Sequence, residues 1–472
     1  MAKRPQGGKP RGRPGYAGCQ SVPEKSAAAT IAPLEKRART RHRLIAMTQQ
    51  PADLAALSAS TADLTAEVAV IGGGITGLAM TLALGRAGFE TICVDPQPPE
   101  PEAAQLLDGR TTALLMPSIR ALETLGVWDR VVGESEGLWR MRIVDDSAGT
   151  DAEPHTADFD STRLDGGPFG YNVPNPALRR ALLAEIAALD NVRHLAPHKV
   201  GRIDYGRREV HAELDDGRTL GARLAIGADG KGSPSREAAG IRARRWGYGQ
   251  TALAFSIEHS RPHRGTSTEF HRPSGPFVLV PLPGNRSSVV WVDRDQAAEH
   301  FLEMHDDAFR RAVERRTRRI LGDVTAVGPR FSYKVASLLA DNYAGPRLAL
   351  VGESAHALPP IGAQGLNLGI TDVATLIEVL VEAERAGRDI GDPEVTRRYE
   401  RRRRPDVVTR AFAVDTLNRT VQSKLPPIGF VRRRALGVID RLSPLKARLM
   451  RQGMLPVGQL PKLMDGVAPW AP

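Results

Sequence analysis

Three glycines at fixed spacing, Gly72, Gly74 and Gly77, form a G-x-G-x-x-G pattern, and an acid, Asp95, closes the same segment. This set of residues handles phosphate rather than attacking bonds. The first glycine makes a tight turn, the second lets backbone approach a pyrophosphate, and the third lets a helix pack closely on a strand. A helix that begins there turns its unpaired N–H groups toward the phosphates. An acid at the end of the following strand accepts hydrogen bonds from a ribose hydroxyl. A second glycine-rich group, Gly227-Ala228-Asp229-Gly230, stands before Ser233-Pro234-Ser235-Arg236. A third runs from Gly352 and Glu353 through His356, Pro359 and Pro360 to Gly365, Leu366 and Asn367.

The elements that must position these residues are legible around them. Residues 67–95, EVAVIGGGITGLAMTLALGRAGFETICVD, parse as strand, glycine turn, helix, stop and second strand. Ile75, Leu78, Ala79, Leu82 and Ala83 recur at helical spacing, which gives that helix an apolar face. A bare G-x-G-x-x-G is weak evidence in a chain with 46 glycines. With strand, helix and terminal acid in register, dinucleotide binding is preferred over an empty structural turn. The motif does not decide between FAD and NAD.

Segment 222–236, ARLAIGADGKGSPSR, ends an apolar run in a Gly/Asp turn that alone is equally a plain loop. From Arg347 the chain reads as strand, Gly-acid turn, Pro/Gly loop and helix, with Gly365, Leu366 and Asn367 where the helix begins. Its first N–H groups suit a negative charge on a reduced isoalloxazine ring. Glu353, at a strand terminus, is placed to hold ribityl hydroxyls. His356 reads as a loop-packing residue rather than a general base.

Composition excludes several classes. At 472 residues the chain is long enough for two sizeable cores. No stretch of about 18 apolar residues without charge is present to span a bilayer. The net charge of +11 suggests nucleic acid, but +9 of it lies before Met47, where eleven Lys/Arg face only Glu24 and Glu35. The body is nearly neutral, so no nucleic-acid partner is expected. The basic opening reads as a disordered tail, and Met47 as a natural start. Cys19 and Cys93 are poor disulfide partners, which fits a reducing cytoplasm. His259, His263 and His271 are loosely grouped without metal-ligand spacing, so no metal is expected.

These three segments, in this order, resemble the para-hydroxybenzoate-hydroxylase-type FAD-dependent monooxygenases. The stretch GESAHALPPIGAQGLNLG is more similar still to the ubiquinone-biosynthesis hydroxylases. DGRTTALL at 108–115, YNVPNPALRRALL at 171–183, FHRPSGPFVLVPLPG at 270–284 and YERRRRPD at 399–406 agree. The resemblance implies an α/β, Rossmann-like, doubly wound FAD-binding domain with an inserted β-rich substrate domain and a helical C-terminal segment. Its expected bounds are a disordered tail over 1–63, and an FAD-binding domain over 64–135, 165–245 and 340–405. The substrate domain is expected over 136–164 and 246–339, and the C-terminal segment over 406–472.

Position by position, the resemblance puts Gly72, Gly74, Gly77 and Asp95 at the ADP half of FAD. Arg110 approaches the pyrophosphate or flavin, Asn175 or Arg179 lies near the cofactor, and Asp229 supports the pyrophosphate side. Glu353 meets the ribityl chain, and backbone from Pro360 through Gly365 and Leu366 to Asn367 lines the ring. Two departures stand out: Glu353 where many relatives have Asp, and Thr371 where an Arg often precedes the aspartate matching Asp372. The implied chemistry is hydride from NAD(P)H, a transient reductant, then O₂ addition to give a flavin hydroperoxide that hydroxylates an aromatic ring. No catalytic side chain beyond the flavin is required.

FVLVPLPGNRSSVVWV over 277–292 reads as a hairpin roofing the flavin. Phe255, Phe277 and Trp291 are candidate pocket walls, with ordinary sheet packing as the competing reading. The resemblance suggests a polyprenylated phenol on the path to ubiquinone, a lipophilic substrate that needs a membrane or a lipid-carrying partner. The stretch 425–472 interleaves Arg/Lys with apolar residues, as an interfacial segment of a cytoplasmic, membrane-peripheral enzyme does. Packing on the FAD domain or contact within a biosynthetic complex explains the same pattern. The run at 400–406 reads as a solvated helix face. Alternatives are a hydroxylase of a soluble aromatic acid, another flavoprotein oxidoreductase such as a prenyl-chain reductase, and a non-catalytic FAD-binding subunit.

Overall fold

Val68, Ala69, Val70 and Ile71 follow one another without a polar residue, so the strand they form must be covered on both faces. In the computed structural model, which describes residues 62–99, 110–146, 155–163, 166–422 and 459–471, all of them are buried. Among the described residues the strand Leu64–Ile71 sits inside an eight-stranded sheet, in parallel register with Thr91–Val94 on one side and Thr219–Gly227 on the other. Val192–Leu195 extends it beyond Thr91–Val94, and Leu348–Leu350 beyond Thr219–Gly227, both parallel. Antiparallel strands Val200–Tyr205 and Val210–Leu214 pair on to the start of Thr219–Gly227. Helices Ile75–Arg86 and Gln364–Arg385 pack in the same core, which accounts for the continuous burial of Asn367–Val381.

A second, nine-stranded sheet is antiparallel except where Arg140–Asp145 runs parallel to Thr266–Arg272. Its longest strand is Ala243–His259. The expected hairpin is present: Gly275–Leu282 pairs with Arg286–Arg294, and Gly284 turns the corner at φ +79°. This sheet is two-faced because alternate side chains point to opposite sides. One face carries Phe255, Phe277, Leu279, Val289 and Trp291 against helices Asp295–Glu303 and Asp306–Arg316. The other carries Ala252, Val292 and Val335, bordered by half-buried Tyr248, Val290 and Tyr333.

The two sheets are stitched together by one short segment. Val351 N–H donates to Gly227 O in the first sheet at 3.0 Å, while His356–Ala357 pairs with Leu338–Leu339 of the second. A long helix, Pro393–Gln422, runs without a break across the domain boundary expected at 405/406 and contains Pro405. It is tied to the first sheet by the Tyr399 hydroxyl, which donates to Leu350 O at 2.8 Å. Of the stretch 425–472, residues 459–471 are described, and there Leu463 and Met464 are buried in the first core. The basic opening segment and residues 425–458 lie outside the described residues. No helix among the described residues is long and apolar enough to cross a membrane.

Candidate active site

Strands Leu64–Ile71, Thr219–Gly227 and Leu348–Leu350 are parallel neighbours, so the three glycine-punctuated loops leave the sheet at the same edge. That carboxyl edge is where open α/β sheets bind ligands. Between the loops lies a cavity of about 640 Å³. Its walls include Gly74, Arg110, Asn175, Arg179, Glu353, Gly365 and Leu366 of the expected residues, drawn from segments far apart in the chain.

The glycines divide by task. Gly72 adopts φ +105°, and a Cβ there would lie 2.5 Å from Ala228 O, so the turn and the next loop share the space. A Cβ on Gly77 would lie 1.9 Å from Gly72 O, which fixes how closely the helix meets the strand. Gly74 differs: it lines the cavity, and nothing lies within 4 Å of where its Cβ would be.

On and beside the cavity wall the described residues leave polar atoms unpaired: Arg179 lines the cavity, and Asp229 lies between the lining residues Ala228 and Gly230. Asp229 accepts the Ser235 N–H at 2.8 Å through one carboxylate oxygen, while its other oxygen is buried without a hydrogen bond among the described residues. Arg179 Nε is likewise buried and unpaired among them. An orphaned acceptor, an orphaned donor and a bare Gly74 at a helix start match the hydroxyls and phosphates of an adenine dinucleotide. The residues present therefore fit FAD.

Asp95 is placed differently from the expectation. Its carboxylate is almost fully buried, accepts from Arg179 Nη2 at 2.8 Å and from Gln97 N–H at 3.0 Å, and does not line the cavity. Arg179 stands where a ribose hydroxyl was expected. Burial alone would raise the Asp95 pKa, but hydrogen bonds from His194, Gln97 and Arg179 hold it below the usual carboxylate range. Asn175 opens the helix Asn175–Ile186 and accepts from the Thr112 hydroxyl at 2.7 Å. Glu353 is exposed, with Lys231 at 3.5 Å.

The helix Gln364–Arg385 begins at Ala363, a non-glycine residue held at φ +54°. Gly365 and Leu366 of its first turn line the cavity, at the end of the helix where N–H groups have no intrahelical partner. Pro360 lies in the preceding loop outside the cavity lining. The Asn367 side chain is a clamp rather than a ring contact. Its Oδ1 accepts from Leu115 N–H at 2.9 Å and Ser118 Oγ at 2.8 Å, and its Nδ2 donates to Ala113 O at 2.9 Å and Ala363 O at 2.6 Å.

Behind this helix start runs a buried charge network that the sequence reading missed. His356, which lines the cavity, is 2.7 Å from Asp372 Oδ2 through Nε2. Arg403 Nε donates to Asp372 Oδ1 at 2.8 Å and Arg403 Nη1 to Asp406 at 2.8 Å. Asp406 accepts from Arg410 at 3.0 Å, and Arg410 donates to Gln364 Oε1 at 3.0 Å. The run at 400–406 is thus not simply a solvated face, because Arg403 is 2 % exposed. Burial alone would raise Asp372, yet the charges of His356 and Arg403 hold it below the usual range. The Arg403 pKa is raised in turn by Asp372 and Asp406, which outweigh its own burial.

Phe255, Phe277 and Trp291 do not wall the cavity. They are buried on the far face of the second sheet, where Trp291 stacks 5.9 Å from Phe309 and Arg316 lies over its ring at 4.9 Å. The face toward the cavity presents Phe331, a lining residue, and Tyr333 two positions along. Burial pushes the Tyr333 hydroxyl up to about 12, with Arg110 acting to lower it and Glu353 to raise it.

A doubly wound sheet with a dinucleotide cavity roofed by a second sheet defines a flavin-binding class. The chain belongs to the FAD binding domain family, whose sequence model matches residues 65–413. It is 40% identical to ubiquinone hydroxylase UbiL of Rhodospirillum rubrum over 410 residues, covering 86% of this chain and 94% of that protein. It is 30% identical to 3-demethoxyubiquinol 3-hydroxylase of Escherichia coli over 389 residues, covering 82% and 98%. Among solved structures, p-nitrophenol 4-monooxygenase PnpA of Pseudomonas putida superposes with TM-score 0.67 at 22% identity, covering 82% of this chain and 96% of that one. The protein is an FAD-dependent monooxygenase.

Proposed function

We propose that this enzyme hydroxylates the ring of a polyprenylated phenol in ubiquinone biosynthesis, with NAD(P)H as a transient reductant. One observation carries the reading: three segments distant in sequence line a single cavity beneath the two-faced sheet. The names of the relatives at 40% and 30% identity support the substrate class.

FAD, when bound, would supply the redox and oxygen chemistry, with NAD(P)H as the reductant and O₂ as the source of the oxygen atom. The protein supplies position and dryness. Gly74 and the start of Ile75–Arg86 would receive the pyrophosphate, Asp229 and Arg179 would offer their free valences, and Glu353 would hold the ribityl hydroxyls. The first turn of Gln364–Arg385 turns N–H groups toward negative charge on the ring. Phe331 gives the cavity an apolar side, and Tyr333, two positions along the same strand, keeps its hydroxyl neutral at physiological pH.

A prenylated phenol is nearly insoluble in water, so the enzyme works as a cytoplasmic, membrane-peripheral protein or within a biosynthetic complex. The stretch 425–472 is the segment proposed for that contact. The test is deletion of the gene with mass spectrometry of quinone precursors, paired with ¹⁸O₂ turnover by purified enzyme. Accumulation of a precursor lacking one oxygen, and ¹⁸O in the product, are expected. Unchanged quinone pools overturn the substrate assignment.

A further inference from the structure

A second cavity, of about 620 Å³, lies between the long helix Pro393–Gln422 and the strand Ala344–Gly345. It shares no lining residue with the active-site cavity. Arg397, Arg401 and Arg404 project from successive turns of the helix into it, and Glu400 is the acid in its wall. Glu400 is already engaged, accepting from Ala344 N–H at 3.1 Å. Arg397 and Arg401 have only Glu394, at 3.6 and 3.9 Å, with all three side chains exposed. Such pairs hold little charge in place.

Arg404 is the distinctive member. Its Nε is sealed from solvent, and it makes no hydrogen bond or ion pair with any described residue. With Nε sealed, the guanidinium meets the cavity through its other N–H groups, and no carboxylate among the described residues pairs with it. Residues 423–458, which follow this helix, contain Asp440 as their one acid among eight Lys/Arg. Three forked donors around one space match the tetrahedral oxygens of phosphate better than a single carboxylate. The volume exceeds that of a bare ion, and Pro346, Pro393 and Pro405 give part of the wall an apolar lining.

We propose that this cavity is a binding site for the phosphate group of an organic phosphate ester, with Arg404 as the anchor and Arg401 and Arg397 completing the clamp. Two sources share this chemistry, a free phosphorylated solute and an anionic lipid headgroup.

The FAD-loaded full-length enzyme is titrated with inorganic pyrophosphate by calorimetry and thermal melting at constant ionic strength set with KCl. It is separately sedimented with phosphatidylcholine vesicles with and without phosphatidylglycerol. Saturable binding is expected, weakened about tenfold in R404Q and in R401Q, the loss of one charge-assisted contact. Binding of pyrophosphate without vesicle capture identifies a free solute. Capture by phosphatidylglycerol vesicles that R404Q abolishes identifies a headgroup. Should R404Q fold poorly, R401Q, at 63% side-chain exposure, carries the comparison. No saturable binding of either probe, or equal binding by wild type and both variants, overturns the site.

Discussion

Asp372 and Arg403 meet at 2.8 Å, 31 residues apart in sequence, with both side chains almost fully buried. Asp372 thereby joins three elements: it also accepts from Gly352 N–H at 2.9 Å and faces His356 at 2.7 Å. This carboxylate holds the loop that presents Glu353 to the cavity, together with the hydrogen bonds of Ser354 to Gly227 O and of Arg236 to Ser354 O.

Removing one partner of a buried ion pair leaves the other uncompensated, which costs about 3–5 kcal/mol. D372N is expected to lose stability on that scale and to release FAD more readily. Urea unfolding of the apoprotein and FAD retention on a desalting column measure the two effects.

The same carboxylate sets an acid limit. Its pKa is depressed in the folded state, so its contribution is fully present above the unfolded value of about 3.9 and is lost as pH falls through the folded value. Asp95 acts in the same direction. The contribution of these two carboxylates to the melting temperature should therefore hold down to about pH 4 and fall below it. Buried His259, whose pKa is lowered by burial, already removes some stability as pH falls below about 6.5. D372N should show a shallower acid limb in the same scan.

The two faces of the second sheet predict opposite mutational signatures. F277A and W291A empty a packed core and should cost about 3–5 kcal/mol, with little change in kcat/KM of the protein that remains folded. Y333F removes only a hydroxyl, from the sheet face that also carries the cavity-lining Phe331. It should alter stability by less than about 1 kcal/mol while raising KM and the fraction of NAD(P)H oxidised without hydroxylation.

Gly77 and Gly74 should separate folding from binding. G77A forces a methyl against Gly72 O and is expected to lower the melting temperature of the apoprotein. G74A meets no protein atom, so the apoprotein should melt normally and bind FAD more weakly.

How much was legible in sequence follows the range of the interactions. Gly72, Gly74 and Gly77 belong to one strand-turn-helix unit, so their pattern announced the site, although the Ala228 carbonyl that crowds Gly72 lies far along the chain. The position of Asn367 was readable, but its partners Leu115 and Ser118 lie 252 and 249 residues away, so its clamping role was not. Arg403 looked solvated in a run of arginines because its counter-ion Asp372 is on another helix. In Gly275–Leu282 both faces are apolar, Phe277 and Leu279 on one and Val278 and Val280 on the other. Alternation therefore could not tell which face roofs the cavity, and the larger aromatics pointed to the wrong one. Asp95 was correctly placed at a strand end, but Arg179, 84 residues on, takes its carboxylate.

The central claim is that the three loops hold one flavin together. Its most direct test is fluorescence titration of the apoprotein with FAD, comparing wild type with G74A, D229N and G365A, one change per loop. One FAD per chain, bound about tenfold or more weakly by each variant at unchanged apoprotein melting temperature, is the predicted result. Wild-type affinity in any two of the three would contradict a shared site.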